Sequence, residues 1–178
     1  DTIWDMSCGW GGRLIGFLAS SRKKYIGTEP SSLTFEGLQK IKKDFFYLKK
    51  SVELHKLGSE EFIPDRNSLD LCFTSPPYFD TEKYSDEDTQ SYIKFPTKEE
   101  WVNGFLRKTI ENCYRGLKSG GYMLYNIANT PKYKFIEEET QKIAKELGFV
   151  QNDTLQLTLS SVMGAGYKYE PIFVFKKN

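Results

Sequence analysis

The chain has 178 residues, 39% of them hydrophobic and 28% charged, with a formal net charge of +1. That composition is globular and large enough for one domain, 1–178, with its own core, and it excludes a disordered chain. No apolar run approaches a bilayer span and no secretory leader opens the sequence, so a cytoplasmic protein is expected.

The chain starts at Asp1, already inside a predicted strand, Thr2 to Asp5, and further native residues are expected ahead of it. Gly9-Trp10-Gly11-Gly12 breaks that strand, and Leu14, Ile15 and Leu18 then fall at helical spacing. Lys24 to Thr28 reads as a second strand closed by Glu29-Pro30, followed by a helix from Ser31 to about Phe46 with Ser31 or Ser32 as its N-cap. Val52 to His55 and Leu69 to Thr74 are the third and fourth strands. The insert 79–97 is polar, acidic and aromatic without a period, which predicts a loop. Val102, Leu106, Ile110, Cys113 and Leu117 then share one face of a long helix. Gly120-Gly121 turns the chain into a strand from Tyr122 to Ile127, and a helix follows over Phe135 to Leu147. Two closing strands, Thr154 to Leu159 and Pro171 to Phe175, suggest a hairpin. Five rounds of strand then helix predict a largely parallel α/β sheet with helices on both faces.

Two stretches carry chemistry. The first is Asp5-Met6-Ser7-Cys8-Gly9-Trp10-Gly11-Gly12, where the glycines allow a tight turn and close approach of backbone to a ligand. Leu14 stands where a dinucleotide fingerprint wants glycine, which argues against a nicotinamide dehydrogenase. Asp5 ends strand one beside that turn, able to accept from a ligand ammonium directly or through water. Glu29, about 20 residues beyond the glycine turn, ends strand two, where a carboxylate can take both hydroxyls of a ribose. Gly58-Ser59-Glu60-Glu61, after strand three, is a weaker candidate for the base of the same ligand.

The second stretch is Phe73-Thr74-Ser75-Pro76-Pro77-Tyr78-Phe79. Two prolines stiffen the end of a strand and fix the carbonyls beside them. An exocyclic base amine is a poor nucleophile, because its lone pair is delocalised into the ring. Two fixed acceptors holding its two N–H groups bias it toward a tetrahedral nitrogen, and a rigid carbonyl does so without reorganisation. The Pro76 carbonyl and the Ser75 hydroxyl are the candidates, and Tyr78 is placed to stack on a base outside the helical stack. Cys8, Cys72 and Cys113 do not follow proline, which disfavours carbon-5 cytosine chemistry, and they read as reduced, buried thiols. With His55 the only histidine and no cysteine spacing for a metal, no metal site is expected.

In this order the glycine turn, Glu29 and Thr74-Ser75-Pro76-Pro77-Tyr78 resemble the S-adenosylmethionine-dependent DNA amino-methyltransferases, which modify adenine N6 or cytosine N4. The resemblance implies a class I, Rossmann-like fold with a seven-stranded sheet and an antiparallel last strand. It implies S-adenosylmethionine held by Asp5, Ser7, Gly9, Trp10, Gly11, Glu29, Pro30, Ser59 and Glu60. It implies a flipped DNA base, or one in single-stranded DNA, taken by Ser75, Pro76, Pro77 and Tyr78, and a place in restriction–modification. Family members usually carry a further cofactor segment and a recognition domain; here Tyr84, Gln90, Tyr92 and Phe95 of the insert are candidates for base reading, and the acidic run Ser85 to Asp88 argues equally for a mobile lid. Adenine and cytosine stay open, as do an RNA base, a protein glutamine amide, and an idle scaffold that keeps the fold alone.

Overall fold

In the computed structural model, which describes residues 1–159 and 168–178, seven strands form one sheet in the order β3-β2-β1-β4-β5-β7-β6. They are β1 (Thr2–Asp5), β2 (Lys24–Thr28), β3 (Ser51–His55), β4 (Leu69–Thr74), β5 (Leu117–Asn126), β6 (Phe149–Leu159) and β7 (Lys168–Lys177). The first five run parallel, whereas β7 is antiparallel to both β5 and β6. Successive strand residues point to opposite faces. Trp4, Cys72 and Met123 therefore pack into one core layer, while Ile3, Tyr25 and Val52 face another.

Helices α1 (Gly12–Ala19) and α2 (Ser32–Asp44) cover the second layer through Leu14, Phe17, Leu18 and Leu38. Phe17 replaces Ile15 as a core residue of α1, since Ile15 is half exposed at 48%. The first layer is covered by α5 (Arg107–Gly116) and α6 (Ile136–Glu146), with Ile110, Cys113, Ile136 and Ile143 fully or almost fully buried.

Four local expectations are corrected. No helix joins β3 to β4: residues 56–68 form turns, so the strand–helix alternation is interrupted there. The long helix starts a turn early, as α4 (Lys98–Trp101), because Thr97 and Glu100 form a reciprocal capping box. It passes through a π-helical stretch, Val102–Leu106, before becoming α5, and Phe95 packs so closely on Gly104 that a Cβ there would lie 2.3 Å from the ring. Gly120-Gly121 lies inside β5 rather than before it: Leu117 pairs with Leu69 and Tyr122 with Leu71, and the residues between loop out around Gly120 at φ 82°. The insert also holds one short helix, α3 (Ser91–Lys94). The link between β6 and β7 lies outside the described residues.

Chain order reverses at β1, with β2 and β3 on one side and β4 and β5 on the other. Ligands of such sheets gather beyond the carboxyl ends of the strands at that reversal. Both motifs read from the sequence end there.

Candidate active site

The glycine turn is pinned from both sides. Met6 N–H donates to the Phe73 carbonyl (3.0 Å) and Cys8 N–H to the Thr28 carbonyl (3.0 Å), so the turn hangs between β4 and β2. Gly9 and Gly11 take φ of 54° and 84°, values that glycine adopts without a steric cost. A Cβ on Gly11 would lie 2.7 Å from Ile41 Cδ1, so this residue lets α1 start against α2. Arg13 braces the turn from α1: its Nε donates to Asp5 Oδ2 (2.9 Å) and its guanidinium also meets the Ser7 carbonyl.

Asp5 lies behind the turn, outside the main cavity, with its Oδ1 buried and without a partner. Its carboxylate is 1% exposed and also accepts from the Tyr25 hydroxyl (2.7 Å), and it faces a shallow pocket on the α1 side of the sheet. It holds Arg13 and, through it, the shape of the turn.

Glu29 accepts from Gly9 N–H (3.1 Å) through one oxygen and from Ser31 N–H (2.9 Å) through the other. Burial raises its carboxyl above the usual 4.5, and the two backbone donors oppose that rise. Each oxygen keeps a lone pair for a ligand hydroxyl. Across the cavity, the Ser59 hydroxyl meets that of Thr109 (2.8 Å), and Asn112 Nδ2 donates to the Ser59 and Glu60 carbonyls (3.2 and 3.1 Å). Glu60 Oε1 pairs with Lys94 Nζ of α3 at 2.7 Å, while its Oε2 is buried without a partner. Gln90 Nε2 is buried and unpartnered as well.

After β4, Ser75 and Pro77 are half-buried and face the cavity, and Pro76 is buried. The Pro76 carbonyl accepts no hydrogen bond among the described residues. Tyr78 is not the exposed ring its position suggests. It is 9% exposed, and its hydroxyl lies 3.3 Å from Glu170 Oε2 and 3.5 Å from the Asn126 carbonyl of the neighbouring strand. Burial, and next the charge of Glu170, raise its phenol well above the ordinary value. Phe79 follows at φ 55°, a left-handed conformation unusual for an aromatic residue, held by edge-on contacts with Trp101 and Tyr133 at 6.0 and 6.3 Å. Such strain at a strand end is characteristic of a functional turn.

One cavity of about 600 Å³ joins these parts. Ser7, Gly9, Trp10, Glu29, Pro30, Ser59, Glu60, Ser75 and Pro77 line it; Asp5, Gly11, Pro76 and Tyr78 do not. Sequence reading assigned no role to Arg13, Thr89 or Phe105, which line it too, and placed Gln90 with the base rather than here. Arg13 was findable, one helical step inside the glycine turn. Thr89 and Gln90 depend on how the insert folds back, and Phe105 on how the π-helical stretch turns toward the cavity.

The insert covers the cavity from above. Glu87 accepts from both Ser32 N–H (3.0 Å) and Ser32 Oγ (2.6 Å), so it caps α2 in place of Ser31, whose side chain makes no cap bond. Thr89 Oγ1 donates to the Pro30 carbonyl (3.3 Å), and Lys94 bridges Glu60 and Glu61 (2.7 and 2.6 Å). Trp10, 83% exposed, meets Tyr84 edge-on at 6.4 Å. Tyr92 instead bonds the Ser85 carbonyl (2.8 Å), and Phe95 packs on Gly104, so both hold the insert together. Among the described residues no cluster of metal-ligating side chains occurs, and no helix is long and apolar enough to cross a membrane.

This strand order, with its antiparallel penultimate strand and its cavity at the β1/β4 reversal, defines the class I methyltransferase fold. The chain belongs to the N6/N4-type DNA methylase family, whose match runs over residues 69–178 and so includes Ser75 to Tyr78. No curated protein sequence matches the chain. Among solved structures it is similar to a SAM-dependent methyltransferase from Methanosarcina mazei, with TM-score 0.68, 13% identity, and coverage of 99% of this chain and 92% of that one. It is likewise similar to geranyl diphosphate C-methyltransferase from Streptomyces coelicolor, with TM-score 0.68, 12% identity and coverage of 100% and 72%. A TehB-like methyltransferase from Corynebacterium glutamicum has TM-score 0.60, 15% identity and coverage of 99% and 80%. At such identities the likeness concerns the fold.

Proposed function

We propose that the protein transfers a methyl group from S-adenosylmethionine to the exocyclic amine of an adenine or cytosine presented outside the DNA stack. The observation that carries this reading is the single cavity in which the glycine turn, Glu29, Glu60 and Ser75-Pro77 meet. The residues fit the cofactor. The Gly9 and Trp10 backbone would border its methionine end, and Glu29 would accept from its ribose hydroxyls. Of the buried unpartnered polar atoms, the two on cavity-lining residues, Glu60 Oε2 and Gln90 Nε2, are an acceptor and a donor, which is the pair needed by the amino group and N1 of an adenine ring. Bound, the cofactor supplies an electrophilic methyl on a sulfonium.

At the other end, Ser75 Oγ and the Pro76 carbonyl would accept the two N–H bonds of the target amine and direct its lone pair at that methyl. Tyr78 would meet the base face once the base displaces it from Glu170. Asp5 acts behind the turn through Arg13. The reading gains support from family membership, which sets DNA as the expected polymer. It is tested by mass spectrometry of nucleosides after incubating unmodified DNA with the protein and isotope-labelled S-adenosylmethionine. Labelled N6-methyladenine or N4-methylcytosine, lost in Ser75→Ala, is the expected result. A label found only in RNA or protein would overturn the choice of DNA.

A further inference from the structure

A second cavity, about 550 Å³, opens beside the Ser75–Tyr78 turn, between α4 and the loop that follows β5. Lys98, Lys132 and Lys134 line it, with the exposed ring of Phe135 (65% exposed). It is an open groove whose volume lies in the range of ligand sites. The loop that builds it leaves β5 at the same sheet edge at which Ser75 leaves β4, and these strands are hydrogen-bonded neighbours. Direct contacts join the two places. Lys132 Nζ donates to the Asp80 carbonyl (3.0 Å), Thr130 and Thr81 hydroxyls meet at 3.2 Å, and Tyr133 packs on Phe79.

We propose that this groove holds the nucleotide flanking the target base, with the three lysines on backbone phosphate and Phe135 stacked on the neighbouring base. The inference rests on the nucleic-acid reading above and assigns its polymer contact. The charges fit. Lys98 and Lys134 form no ion pair among the described residues, and Lys98 lies over the Tyr133 ring at 5.1 Å, which aims it along the groove wall. Lys132 shares its charge with Asp80 at 3.6 Å. Two glutamates also line the groove; Glu139 already accepts from the Tyr133 hydroxyl, and Glu99 belongs to the first turn of α4, where the helix dipole favours it. The groove thus offers cations beside a π-face, the pairing that single-stranded and extruded nucleotides use. An acidic peptide would use the lysines and leave Phe135 idle.

The test is the salt dependence of binding of a fluorescein-labelled duplex and its single strand, read by anisotropy. The wild type is compared with Lys98→Gln/Lys132→Gln/Lys134→Gln, with the corresponding triple Arg variant and with Phe135→Ala. The triple Gln variant is expected to lower the slope of log Kd against log salt by about two to three, with the Arg variant restoring it. Phe135→Ala should weaken the single strand about 5-fold or more with the slope unchanged. S-adenosylmethionine affinity and melting temperature are the controls, and should the triple variant fail them, Lys134→Gln alone should still lose about one unit of slope. Equal slopes in the wild type and the Lys→Gln variants would overturn the groove, while labelled nucleoside from the wild type would leave the proposed reaction standing. A wild type that neither binds nor labels nucleic acid would overturn both, and weakened binding of an acidic peptide alone would assign the groove to that partner.

Discussion

The two ends of the main cavity are built differently. The cofactor end is finished: Gly9, Glu29 and Ser59 are fixed by backbone and side-chain bonds that leave their remaining valences pointing inward. The amine end is only half presented. Ser75 and Pro77 face the cavity, but Tyr78 is packed away with its hydroxyl against Glu170, and the strained Phe79 holds the turn in that state. On the proposed reading the difference implies an order of events, in which the cofactor enters a preformed seat and the base then has to rearrange the turn. Binding to a preformed seat avoids an ordering cost that the base end still has to meet.

Three substitutions separate the two ends, beginning with the largest effect. Ser75→Ala removes one of two fixed acceptors and should lower kcat about 100-fold, the scale seen when one preorganised hydrogen-bonding group is lost. Its cofactor affinity, read by calorimetry, should stay within about twofold, since Ser75 lies at the far end of the cavity. Equal losses in both would mean that the ends are one unit. Glu29→Ala should do the reverse, weakening S-adenosylmethionine about 30-fold, or ~2 kcal/mol, because charge-assisted bonds to ribose are lost. Gly11→Ala acts on neither ligand directly; the left-handed φ of 84° and the contact with Ile41 should destabilise the fold by about 2 kcal/mol, read as a lower Tm.

Glu29 also gives the comparison a pH signature. Its carboxyl titrates above 4.5 in the folded chain, chiefly through burial. Between 4.5 and that raised value the folded chain keeps a proton that the unfolded chain has released, so stability of the free protein falls as pH rises through the window. Cofactor affinity should move the other way, rising as the carboxylate forms and becomes a full acceptor. Calorimetric titration against pH should show an inflection above 4.5 that is absent in Glu29→Gln. A flat profile in the wild type would remove Glu29 from the ribose.

The sheet was legible because its strands alternate or run apolar between glycine and proline breaks, and those signals are local. The missed features are all products of contact between distant segments. Nothing near Ser31 announces that Glu87, 55 residues beyond Ser32, will cap α2. Gly120-Gly121 reads as a turn and is a bulge, since only the pairing of Leu117 with Leu69 and Tyr122 with Leu71 reveals which. The cavity-lining residues of the first motif were legible for the same reason as the sheet. That Asp5 lies outside the cavity was not legible, because a strand-end carboxylate points to either face by one residue of register, and here Arg13 and Tyr25 take its Oδ2. The burial of Tyr78 was not legible because it depends on β7, which arrives about 90 residues later.

The smallest expected effect concerns the insert that bridges the two ends. Gln90 reaches the cofactor seat from it, while Glu87 and Lys94 tie it to α2 and to Glu60. If the insert closes on the cofactor, occupancy of the seat and order of the insert are linked, and each stabilises the other. Glu87→Gln should loosen it, since the contact with Ser32 holds this carboxyl below its ordinary value and so favours the charged form. The same loosening is expected in the wild type as pH falls through that lowered value, where the carboxylate gains a proton and the cap weakens. Hydrogen exchange of residues 85–95 should therefore quicken in Glu87→Gln and slow again when S-adenosylmethionine is added, whereas exchange in β1 and β4 stays as it was. Gln90→Leu should keep the slow exchange of the free insert yet lose the cofactor's further protection, together with about tenfold in affinity. Protection that survives Gln90→Leu would show that the insert senses the base end alone, and the amine turn, with Tyr78 still packed against Glu170, would then be the part that moves first.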